Sequence, residues 1–97
     1  MTGESLHEAI NRAVETHYGT LGWTEQAREA ARAEVGDEAV ARIGEMSSFA
    51  NDPEHWVHAP SHMGAYNDVQ QLLRERYPFL SPGAVQRIAT SAAYGWK

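Results

Sequence analysis

Residues 61–96 read SHMGAYNDVQQLLRERYPFLSPGAVQRIATSAAYGW, and this stretch decides the fold. Met63, Tyr66, Val69, Leu72, Leu73 and Tyr77 recur at three- and four-residue steps, the period of one face of a helix. Ser61 offers a capping hydroxyl ahead of them. Pro78 ends the run, because the residue before a proline is driven out of the α region. Ser81-Pro82 then opens a second helix, with a hydroxyl cap and a proline at the first helical position. Val85, Ile88, Ala89, Ala92 and Trp96 give that helix an apolar face. Two amphipathic helices joined by so short a turn predict an antiparallel helical pair.

Upstream, residues 50–61 contain Asn51, Asp52, Pro53 and Pro60. They read as a connection with at most one helical turn near Glu54–His58, anchored to the core by Trp56 and Val57. Before it, Leu6, Ile10, Val14 and Tyr18 step by four and predict a helix from about Glu4 to Tyr18, capped by Ser5 or Thr2. Glu8 and Arg12 fall one turn apart on its outer side, in the favourable order. Gly19 and Gly22 break the chain, and Thr24 caps a second helix whose narrow face is Ala27, Ala30, Ala31 and Val35. Trp23, just before the cap, is placed to fold back as a hydrophobic staple. Gly36 interrupts the helical pattern, and Asp37 is read as the cap of a third helix with Val40, Ile43, Met46 and Phe49 inward. No run alternates as a strand would. The expectation is an all-α fold, a compact bundle of four to five short helices in one domain spanning residues 1–97.

Composition agrees with a folded domain. Of the 97 residues, 42% are hydrophobic and 22% charged, and there is no cysteine. Disulfides, thiolate nucleophiles and cysteine-ligated metals are thereby excluded. No apolar run approaches the roughly 20 residues of a membrane span. The first residues lack the basic start and apolar stretch of a secretory signal. A cytoplasmic location and no membrane partner are therefore expected.

Charge is the most informative surface feature. The formal net charge is −5, but residues 1–60 hold eleven acids against four arginines, and residues 61–97 hold four cations against two acids. A charge asymmetry of this kind can orient a partner. Local pairs Glu25–Arg28, Glu29–Arg32 and Glu38–Arg42 are expected to neutralise part of it. The leading expectation is a non-enzymatic interaction module that binds another protein or itself, an acidic inhibitor or mask of a basic partner. Its contact surface would be Glu25, Glu29, Glu34, Asp37, Glu38 and Glu45 or else the loop 51–62, with Trp96 as an apolar anchor. No cofactor is expected.

Two other readings follow from particular residues. The C-terminal pair has helix-turn-helix spacing, and Gln86, Arg87, Thr90 and Tyr94 lie opposite its apolar face, where side chains can reach bases and phosphates. Four cations in that half are few for phosphate binding. His55, His58 and His62 are spaced as one helical face would require for a metal such as zinc, but Pro60 falls between the last two. Catalysis has little support, since no phosphate-cradling glycine loop or nucleophile elbow is present.

Overall fold

A computed structural model describes residues 5–96. The alternative cap Thr2 and the terminal cation Lys97 lie outside them. Six helices follow in order: α1 (Leu6–His17), α2 (Glu25–Val35), α3 (Asp37–Ala50), α4 (Pro53–Trp56), α5 (His62–Arg76) and α6 (Pro82–Gly95). The fold is a small all-α bundle.

Most helix starts are set by single side chains. Ser5 Oγ accepts from the Glu8 amide while the Glu8 carboxylate accepts from the Ser5 amide, closing a capping box. Thr24, Asp52, Ser61 and Ser81 each accept a backbone N–H in the first turn of α2, α4, α5 and α6. α3 differs from the sequence expectation. Its cap is Gly36, and Asp37 is the first helical residue. Gly36 ends α2 and starts α3 at φ 90°, ψ 172°, a conformation open essentially to glycine alone. No residue is left over to act as a side-chain cap, so Asp37 turns to Arg32 instead, with Nε–Oδ1 at 2.6 Å.

α3 is central and packs against α1, α2, α5 and α6; α5 and α6 pack against each other, and α4 lies on α5. Ile10, Val14, Tyr18, Ile43, Met46, Val69, Leu73, Val85 and Ile88 are the largest fully buried side chains, and the buried residues form one cluster. Among the described residues, no helix is long and apolar enough to cross a membrane.

Three expected packing contacts are not made, the first at Ala30 on the narrow face of α2, which is exposed. Val57 and Met63 are 57% and 64% exposed. Trp56 anchors the connection, with its Nε1 donating to the Ala50 carbonyl at 2.8 Å, while Val57 beside it turns outward. Met63 sits in the first turn of α5, before Ala65, the first α5 residue to be buried. Trp23 does fold back, into the core: it stacks on Tyr18 at 5.6 Å and donates to the Val40 carbonyl at 3.3 Å.

Candidate functional site

The acidic surface separates into two kinds of carboxylate. Arg32 holds both Glu29 and Asp37 at 2.6 Å. Those two acceptors keep its guanidinium above its ordinary pKa, the Glu29 hydrogen bond contributing most. Glu34 reaches across to α1, with Oε1 3.3 Å from Arg12 and Oε2 3.0 Å from His17 Nε2. The His17 contact is close enough for an ion pair when the imidazole is protonated, but it lies off the hydrogen-bonding axis. Three of the six expected contact acids are thus engaged inside the molecule. Glu25, Glu38 and Glu45 are exposed and make no ion pair among the described residues.

Of the three expected helical pairs, only Glu29–Arg32 forms. Arg28 instead donates to the Trp23 carbonyl at 3.5 Å. Glu8 is committed to its capping box, and Arg12 serves Glu34. On α3, Glu38, Ala41, Glu45 and Ser48 are all exposed. Their spacing puts them on one face, opposite Ala39, Val40, Ile43 and Met46. Two carboxylates seven residues apart stand on it without an ion pair among the described residues, and the exposed Arg42 lies beside them. Trp96, the expected anchor, caps α6 through its amide on the Ala92 carbonyl and is 36% exposed.

The second expected surface is built differently from a free recognition helix. Gln86, Arg87 and Thr90 line a cleft of about 360 Å³, whose other wall is the turn Tyr18–Gly19–Thr20. Arg87 spans it, donating to the Tyr18 carbonyl at 3.2 Å. Ser91 donates to the Thr20 carbonyl at 3.0 Å, and the Thr90 hydroxyl is 3.2 Å from that of Tyr66. Tyr94 is 54% exposed. Arg76 lies over the rings of Phe49 and Tyr77 at 5.1 and 5.9 Å. Two of the arginines in this half are therefore committed to contacts within the fold. The N-terminus of α6 already carries a carboxylate, because Ser81 Oγ donates to Glu15.

The three histidines do not converge. His55 packs edge-on to Phe49 at 5.1 Å, His62 lies 5.5 Å from Trp56, and His58 is exposed. Among the described residues, no three His, Asp or Glu side chains form a group that could hold a metal ion. Pro60 and the break at 57–61 divide the helix on which that spacing depended.

Sequence pattern could not show the tie between α1 and the turn before α6. Asn11 donates to the Phe79 carbonyl at 3.0 Å and accepts from the Ser81 amide at 2.9 Å. His7 stacks on Phe79 at 3.8 Å. These partners are about seventy residues apart in sequence, beyond the reach of helical periodicity.

Tyr18 carries a testable titration. Burial pushes its phenol above the ordinary 10.0, and a hydrogen bond to Ser47 at 2.9 Å offsets this in part. Above pH 10 the unfolded chain releases this proton while the folded chain still holds it, so stability falls as pH rises. The thermal midpoint is expected to drop in that range, and Tyr18→Phe should flatten the drop. Equal slopes for both proteins would place the alkaline loss elsewhere.

Compared with protein-family models, curated protein sequences and solved structures, the chain shows no match to any of the three.

Proposed function

We propose that this chain is a non-enzymatic interaction module that binds a basic protein partner through the outer side of α2 and α3. The observation that carries this is the sorting of the carboxylates. Glu29 and Asp37 share Arg32 and Glu34 pairs with Arg12, while Glu25, Glu38 and Glu45 stay exposed without an ion pair among the described residues. Unpaired surface carboxylates cost little in water and gain when a cationic surface approaches. The small side chains beside Glu38 and Glu45, Ala41 and Ser48, let a partner come close. The same charge argues against a symmetric contact between two copies through this face, since like charges would meet. A basic surface on a different protein suits it better.

The test is capture from native lysate on the immobilised protein, followed by elution with salt. A specific partner is expected to be basic and to elute as rising ionic strength shortens the screening length from about 10 Å at 0.1 M to about 3 Å at 1 M. A partner that stays bound through that change, or that is itself acidic, contradicts the reading.

A further inference from the structure

α2 is attached to the bundle differently from the other long helices. Ala31 is its only buried residue, with Ala27 and Val35 partly buried, whereas α1 buries four residues, α3 five, α5 three and α6 six. It packs on α1 and α3, which already touch each other directly. Two crevices, of about 290 and 360 Å³, run between the end of α1 and the start of α2 and share His17, Thr24 and Gln26. Glycines with positive φ flank the helix on both sides, Gly22 at 92° and Gly36 at 90°. A Cβ at Gly36 would meet nothing, so the backbone and not space calls for glycine there. Across the α1–α2 interface, the Glu34 carboxylate joins Arg12 and His17.

We propose that α2 is a hinged flap. It opens as a unit about Gly36 and the link between Trp23 and Thr24, leaves Trp23 and the rest of the bundle in place, and uncovers the seam between α1 and α3. Glu34 is the latch. With so little apolar burial on α2, its bridge to α1 sets how often the flap opens. Such openings below the global unfolding energy are the behaviour of a weakly packed cooperative segment.

Hydrogen exchange of the intact chain at fixed pH tests this. The amides of residues 29–35 are expected to exchange on the order of tenfold faster than those of α3 and α6. Glu34→Gln should speed α2 by a further factor of about three while α6 keeps its wild-type rate. Glu29→Gln makes the same charge change on the same helix, but its partner Arg32 is also on α2; it should leave α2 exchange within about twofold of wild type. The proposal is overturned if α2 is as protected as α3 in the wild type. It is equally overturned if Glu34→Gln leaves α2 unchanged, if it speeds α2 and α6 alike, or if Glu29→Gln acts as strongly as Glu34→Gln.

Discussion

Ile43→Ala is expected to lower folding stability by about 2–5 kcal/mol. Ile43 is wholly buried midway along α3, the helix that packs on α1, α2, α5 and α6. Removing three carbons there leaves a void that four neighbours would have to fill together, and close-packed helices relax only in part. A domain of this size has about 5–15 kcal/mol of stability in total, so the variant should lose a large share of it. Urea unfolding should show a lower midpoint with an unchanged slope. A loss below about 1 kcal/mol would mean that the site collapses freely, and that α3 is not the central helix.

Trp56→Ala should be comparably severe, at about 3–5 kcal/mol. The indole is 8% exposed, donates to the Ala50 carbonyl and lies against His62. It is the residue that holds the connection between α3 and α5 to the core. Trp56→Phe keeps most of the apolar area but leaves the Ala50 carbonyl without its donor, which should cost about 1–3 kcal/mol. Val57→Ala beside it should change stability by less than about 0.5 kcal/mol, because Val57 faces outward. If the two alanine variants behaved alike, the anchoring role given to Trp56 would be wrong. Thermal or urea unfolding of the three variants makes the comparison.

The helices were legible because their signals are local. Ser5, Thr24, Ser61 and Ser81-Pro82 mark starts that the structure keeps within a residue or two. The four-residue steps of Leu6 to Tyr18 identify the buried side of α1. Where the reading missed, a tertiary contact outweighed a local pattern. Met63 fits the periodicity of α5 yet precedes the part of that helix that others cover. Asp37 has the chemistry of a cap, but the positive φ of Gly36 puts the helix start one residue earlier.

The candidate site was legible only as composition. Sequence shows six acids on two helices. Spacing also gives the Glu29–Arg32 pair, but not that Arg32 reaches on to Asp37 beyond Gly36 or that Glu34 crosses to α1, because those pairings depend on how the helices pack. The histidine spacing failed for a related reason: with the helix divided at Pro60, His55 and His62 pack on different aromatic rings.

The most direct test of the acidic-face proposal compares capture by the wild type with capture by the triple variant Glu25→Gln, Glu38→Gln, Glu45→Gln, both after nuclease treatment. The account predicts a stoichiometric basic protein on the wild type that is lost on a triple variant still folded with the same thermal midpoint. Equal capture by both, or material that disappears with the nuclease, would contradict it and move attention to the cleft beside Arg87.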